Sequence, residues 1–214
     1  MQGYQQFCGL ARALDLIGDR WNLLIVRELL IRERRHTELR SALPGVASNL
    51  LTDRLRHLVA AGIVERRQEE GRKAVVYALT PRGADLREPV LGLVRWGAPL
   101  MASGPRPGDT VQPQWLALAA LALLRDAVVT RPGRVALDAD GLDLTVHAEA
   151  AGVRVELARE DRPDARVQGP TALVLGLLAG ALSARTAAAM GARVQDDAGV
   201  LDALLVAAAA GRAA

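Results

Sequence analysis

The chain has 214 residues, enough for one large domain or two small ones, and half of them are hydrophobic, so a packed core is available. The formal net charge is only +3, but it is unevenly spread: residues 1–103 hold 16 basic and 11 acidic side chains, residues 104–214 hold 11 and 13. The first half therefore has the electrostatic reason to meet phosphate. The single cysteine, Cys8, excludes an internal disulfide and a thiolate zinc site. No basic stretch followed by an apolar core opens the chain, so no secretion signal is expected. The longest apolar runs, such as Trp115 to Leu124, are too short to span a bilayer. The expectation is a soluble cytoplasmic protein with no membrane role.

Residues 8–17 read as a short helix ended by Gly18, and Asp19 is placed to cap a second helix from Arg20 to Ile31. In that helix Trp21, Leu24, Ile25 and Leu29 share one face, with Arg27 and Glu28 elsewhere. A third helix over Arg35–Leu43 leads into a Pro44-Gly45 turn. The stretch that follows organises the rest. Ser48 is an expected N-cap, Leu51, Leu55, Leu58 and Val59 form a buried face, and Gly62 stops the helix. Its other side carries Asn49, Asp53, Arg56 and His57, with Thr52 on the edge. Ile63–Arg67 and Ala74–Leu79 then predict the two strands of a hairpin with a charged tip around Gly71. Helix, turn, helix and hairpin together predict a winged helix, whose second helix enters the major groove.

Thr80 and Pro81 are an N-cap and N1 pair that open another helix, running to about Met101. Pro89 lies inside it, which predicts a kink or a division there. A helix placed after the wing is a natural dimerisation element. Residues 104–113, rich in Gly and Pro, read as a linker between a domain over 1–103 and one over 114–214. The second domain opens with an apolar helix over Gln114–Val129. Three alternating strands follow over Val135–Asp138, Leu142–Ala148 and Gly152–Ala158, then a fourth over Ala165–Gln168. Helices over Pro170–Leu178 and Ser183–Met190, a short strand over Ala192–Asp196 and a helix over Gly199–Ala210 complete an α+β layer with its helices on one side.

Residues 8–97 resemble the HxlR family of bacterial winged-helix transcriptional regulators, relatives of MarR proteins. The resemblance rests on Cys8-x-x-Ala-Arg-Ala-Leu-Asp-Leu-Ile-Gly18, Arg20-Trp21 and Arg27-x-Leu-Leu30. It continues through Leu43-Pro44-Gly45, Leu51-Thr-x-Arg-Leu55, Gly62-Ile63-Val64, Tyr77-x-Leu-Thr-Pro-x-Gly83 and Trp96. It implies a homodimer on a roughly palindromic double-stranded operator. Residues 113–210 are similar to sterol-carrier-protein-like domains through the strand meander, Ala165-Arg-Val-Gln-Gly-Pro170, Leu177-Leu-Ala-Gly180 and Gly191-Ala-Arg-Val194. That similarity implies an apolar tunnel for a small lipid-like effector. Its lining is assigned from apolar pattern to Trp115, Leu121, Leu124, Leu173, Leu177 and Met190. The fold expected for the chain is thus an N-terminal winged helix-turn-helix followed by a sterol-carrier-like layer.

Ser48, Asn49, Thr52 and Arg56 are the expected groove contacts, since Asn pairs with adenine and Arg with guanine in bidentate fashion. Asp53 has two readings, acceptance from a cytosine amino group or orientation of Arg56 or His57 at helical spacing, and orientation is the favoured one. Arg54, on the helix flank, and Arg72 and Lys73, at the wing tip, are expected on phosphate. Cys8 matches the N-terminal cysteine that some members of the family use as an oxidant or electrophile sensor; Arg12 or a helix N-terminus would lower its pKa. Gly9, however, stands where the family usually has proline. His36, His57 and His147 are too scattered for a metal site, Ser183, Thr186 and His147 suggest no triad, and no phosphate loop is present. No enzyme and no cofactor are expected. The expectation is a dimeric DNA-binding regulator under small-molecule control. The alternatives are one switched at Cys8, or a lipid-binding protein whose winged helix makes protein contacts only.

Overall fold

The computed structural model describes residues 3–68, 74–101 and 104–213, which pack as two compact units, Met1–Val90 and Leu91–Ala214. The first contains helices α1 (Gly9–Ile17), α2 (Asn22–Ile31), α3 (His36–Ala42) and α4 (Ser48–Ala60). Strands β1 (Val64–Gln68) and β2 (Val75–Leu79) follow, then α5 (Pro81–Ala84). The strands pair antiparallel from Val64 opposite Leu79 to Gln68 opposite Val75. Arg34 adds a two-way backbone bridge to Tyr77, at 3.0 and 2.8 Å. Behind the hairpin, Ile25, Leu39, Leu43, Leu51, Leu55 and Leu58 are all but inaccessible and form the centre of the unit.

Five local expectations are corrected. The second helix starts at Asn22, because Trp21 takes a left-handed backbone (φ 84°) and breaks the pattern; the Asp19 carboxylate turns to Arg54 and does not cap. Ala47, not Ser48, is the N-cap of α4, and Ser48 is its first helical residue. Val59 is 38% exposed. At about 100° per residue, Leu51, Leu55 and Leu58 fall within a narrow arc, whereas Val59 lies about 80° round from Leu51. Glu28, expected off the apolar face, is fully buried. It is tolerated there because the guanidinium groups of Arg27 and Arg34 meet it at 2.8 and 3.0 Å.

The predicted long helix after the wing is divided at Asp85 and Leu86. Helix α5 is followed by α6 (Arg87–Gly97) and a single 3-10 turn over Ala98–Met101. Thr80 caps α5, its hydroxyl accepting from the Gly83 amide at 3.0 Å. Pro89 is the third residue of α6, where an N–H would have no intrahelical acceptor, so it neither kinks nor divides the helix. The division between the two packed units falls within α6, between Val90 and Leu91. Residues 104–113 carry no helix or strand and belong to the second unit.

The second unit continues with α7 (Trp115–Leu124), β3 (Gly133–Ala139), β4 (Leu142–Glu149), β5 (Gly152–Glu156) and β6 (Ala165–Gly169). Helices α8 (Thr171–Leu178) and α9 (Ala184–Ala189), strand β7 (Arg193–Gln195) and helix α10 (Val200–Ala213) complete it. The sheet order is β5-β4-β3-β6-β7, with β3 and β6 parallel and every other neighbouring pair antiparallel. Asp140 and Gly141 turn β3 into β4 with positive φ at both positions (50° and 81°), the geometry that matches strand twist in a two-residue hairpin. Alternate residues Val135, Leu137, Leu144, Val146 and Val167 enter one core with Leu116 and Leu124 of α7, Val174 and Leu177 of α8, and Leu201 and Leu204 of α10. The intervening positions, among them Arg134, Asp138, His147 and Gln168, give the sheet a polar reverse side.

Candidate nucleic-acid interface

The site is built on α4 and on the turn that delivers it. Gly45 takes φ 88° in the turn after α3, and the Val46 amide donates back to the Leu43 carbonyl at 3.2 Å. A left-handed residue is needed there, and glycine adopts it without steric cost. Helix α4 then places Leu51, Leu55 and Leu58 on the core and leaves Ser48, Asn49, Thr52, Asp53 and Arg56 exposed. The five exposed side chains form one polar face.

That face is partly ordered before any ligand arrives. The Thr52 hydroxyl donates to the Ser48 carbonyl at 2.9 Å and lies 3.2 Å from Nε2 of His36, which ties α4 to α3. Asn49 Oδ1 accepts from the Leu50 amide at 2.9 Å, leaving its NH2 group directed elsewhere. Asp53 meets Arg56 at 2.8 Å, one helical turn apart, so Asp53 is the residue that orients the arginine. On α3, burial pushes the Glu38 carboxyl up, but the Arg35 amide and the Arg32 and Arg34 guanidinium groups outweigh it and hold the group below the ordinary carboxylate range.

Two residues depart from expectation. Arg54, assigned to phosphate, pairs with Asp19 and is only 21% exposed in its side chain. It sits a quarter-turn towards the core from Asp53, where a carboxylate is within reach. His57, read as part of the polar face, directs Nε2 to the Leu16 carbonyl at 2.9 Å, behind the helix. Neither partner was visible in the sequence, because Leu16 and Asp19 are 41 and 35 residues away from His57 and Arg54. Arg72 and Lys73 lie outside the described residues.

Cys8 is exposed and is the N-cap of α1. The backbone amides of Ala11 and Leu10 hold its thiol below the ordinary range. Arg12, the other expected source of such a shift, faces Asp15 at 3.7 Å. In the second unit Leu124 and Leu177 are packed into the core, Trp115, Leu121 and Leu173 are half-buried, and Met190 is 58% exposed at the end of α9. An open apolar groove lies elsewhere, between Val128 and Thr130 on one side and Asp202, Ala203, Val206 and Ala207 of α10 on the other. None of the six residues assigned to the tunnel lines that groove. Among the described residues no three His, Cys, Asp or Glu side chains gather as a metal site, and no helix is long and apolar enough to cross a membrane.

A helix-turn-helix whose second helix offers a polar face, followed by a two-stranded wing, defines the winged-helix class of fold, in which that helix is the one presented to the major groove. The profile of the HxlR-like helix-turn-helix family matches residues 16–104. An HTH-type transcriptional regulator of Synechocystis sp. is 35% identical over 92 residues, which are 42% of this chain and 68% of that protein. The HTH-type transcriptional regulator YodB of Bacillus subtilis is 33% identical over 100 residues, 46% of this chain and 86% of its own length. A Mycobacterium bovis HTH-type regulator is 39% identical over 87 residues, 40% of this chain and 54% of that protein. The chain belongs to the HxlR-like helix-turn-helix family.

Proposed function

We propose that the protein is a dimeric, sequence-specific operator-binding regulator whose Ser48, Asn49, Thr52 and Arg56 read base edges. The observation that carries this reading is the exposed polar face of α4 on its leucine floor, with Arg56 already oriented by Asp53. Arg72 and Lys73 anchor the wing on phosphate, giving affinity without sequence information. Two exposed apolar surfaces support the dimer: Tyr4, Phe7, Leu10 and Leu14 along α1 and its lead-in, and Leu93, Trp96, Leu100 and Met101 along α6 and the turn after it. Large apolar side chains grouped along one exposed face fit an interaction surface, whereas scattered ones would not.

The test is fluorescence anisotropy on DNA from upstream of the protein's own gene, over a series of salt concentrations. Arg56→Ala is expected to lose about 1–3 kcal/mol on the specific site and little on unrelated DNA. Equal losses on both would reduce Arg56 to a phosphate contact, and no site preference in the unmodified protein would end the reading.

The region over 114–214, with 104–113 as its lead-in, is proposed to hold a small apolar effector. Support comes from the five-stranded sheet with its helices on one side, in keeping with a sterol-carrier-like layer, and from the apolar groove beside α10. The effector would act by binding one dimer geometry better than another. A second reading is favoured by a specific observation: the exposed Cys8 thiol sits on the first amides of α1, which favour its thiolate. In that reading an oxidant or electrophile at Cys8 is the signal. Cys8→Ser would abolish a response to oxidant and leave a response to an apolar effector intact.

A further inference from the structure

The junction between α1 and α2, residues Leu16 to Asn22, gathers more polar contacts and more strain than a connector requires. The Leu16 carbonyl accepts twice, from Nδ2 of Asn22 at 3.2 Å and from Nε2 of His57 at 2.9 Å. Asp19 accepts from the Arg54 guanidinium. His57 and Arg54 both belong to α4, so the reading helix is fastened from behind at two points one turn apart. The ring of Trp21 lies beside Gly45, in the turn that delivers α4.

This fastening is incompletely satisfied. Asn22 is fully buried, yet among the described residues its Oδ1 has no hydrogen-bond partner, and the same holds for the buried Nε of Arg54. Trp21, a bulky residue next to Asn22 in the chain, holds φ 84°. Orphaned buried polar atoms and left-handed backbone at a large side chain each cost free energy; they persist only where the surrounding structure holds them, and they cluster at switch regions. Here they converge on one junction, and that junction holds α4.

We propose that Asn22, Asp19, Arg54 and His57 form a latch that sets the angle at which α4 is presented, and that the Leu16–Asn22 segment is the element whose rearrangement changes it. The four are positioning residues: they act through Asn49, Thr52 and Arg56 and touch no base. The inference rests on the operator-reading function proposed for α4, but the latch itself is a property of the free protein. It also supplies a route from α1, which bears Cys8, to the reading helix.

Charge separates the latch from a simple phosphate contact. Asp19→Asn removes a negative charge, so electrostatics alone predicts tighter binding to all DNA. The latch predicts specific operator affinity lowered by about fivefold or more, the lower bound of ordinary site coupling, with non-specific affinity unchanged or raised. A second pair guards against misfolding: His57→Gln keeps a donor for the Leu16 carbonyl and is expected to behave as wild type, whereas His57→Leu is expected to match Asp19→Asn. Hydrogen exchange in the DNA-free protein reads the latch directly. Amides of α4 from Leu51 to Leu58 are expected to exchange faster in Asp19→Asn and His57→Leu, with those of α7 and β3 unchanged. Unchanged α4 exchange, or a uniform rise in affinity for all DNA in Asp19→Asn, would overturn the proposal. Faster α4 exchange in a protein with no operator preference would retain the latch and remove the proposed function instead.

Discussion

The Glu28 carboxylate, with no exposed surface, lies 3.0 Å from the guanidinium of Arg34, whose own backbone pairs in both directions with Tyr77 of β2. One ion pair therefore joins the interior of α2 to the root of the wing. Burial pushes the Arg34 and Arg27 guanidinium groups down from their usual range, and Glu28 opposes that in both. Removing the carboxylate leaves two cations in a partly dry site, and breaking a buried pair by deleting one partner typically costs about 3–5 kcal/mol. Glu28→Leu is expected to lower the unfolding free energy of the first unit by roughly that amount in a urea titration. A loss below about 1 kcal/mol would show that water reaches the arginines and that the pair does not secure the wing.

Gly83 explains a motif that its sequence leaves unexplained. A Cβ at that position would fall 2.0 Å from the Ile63 carbonyl oxygen and 3.2 Å from a methyl of Leu79. Helix α5 packs that closely because the Thr80 hydroxyl, its N-cap, also donates to the Gly62 carbonyl at 2.7 Å. Gly83→Ala must push α5 off the end of the hairpin. The expected outcome is a loss of more than about 2 kcal/mol, in the upper part of the usual range of overpacking. A thermal midpoint equal to that of the unmodified protein would contradict the packing described.

The elements of both units were legible because their signals are local. The Pro44-Gly45 turn, the Leu51, Leu55 and Leu58 spacing, the Thr80-Pro81 cap and the Asp140-Gly141 hairpin each lie within a few residues of what they dictate. The polar face of α4 was legible for the same reason. What could not be read depends on partners far away in the chain. Arg54 looked like a phosphate ligand until Asp19 was beside it, and His57 looked exposed until Leu16 was. Glu28 reads only as lying off the apolar face, since nothing near it announces its pairing with Arg34. Trp21 misled in another way: its apolar character fits the helix pattern, while its backbone breaks it. Met190, assigned to the tunnel from apolar pattern, is 58% exposed, and an apolar residue at a helix end carries no sign of which way it faces.

Asp140 predicts an acid limb for the second unit. Its carboxylate accepts from the Thr171 amide at 2.9 Å and from the Thr171 hydroxyl at 2.7 Å, joining the β3–β4 turn to the N-terminus of α8. These two bonds hold the Asp140 carboxyl below the ordinary range. A depressed carboxylate contributes stability that is fully present above the unfolded value, about 3.9, and is lost as pH falls through the lower folded value. Denaturant unfolding below about pH 4 is expected to fall less steeply with acid in Asp140→Asn than in the unmodified protein, because one proton uptake is removed. Asn keeps an acceptor oxygen for Thr171 and caps about as well as Asp, so the variant is expected to lose less at neutral pH than the roughly 0.5–2 kcal/mol of a deleted cap. Identical pH slopes in the two proteins would show that Asp140 does not carry the linkage.

Cys8 yields a prediction that is independent of DNA. The amides of Ala11 and Leu10 favour its thiolate, and the residue is exposed. Reaction with iodoacetamide proceeds through the thiolate, so its pH midpoint should lie below that of an unperturbed cysteine, about 8.5. Because Cys8 is the one thiol in the chain, the measured rate belongs to it without ambiguity. Substituting Leu10 or Ala11 by proline deletes one amide and is expected to move the midpoint upward. Proline is tolerated in the first turn of a helix, so α1 itself should survive the change. A midpoint at or above the ordinary thiol value in the unmodified protein would leave Cys8 as a surface residue and remove the chemical basis for a switch at that position.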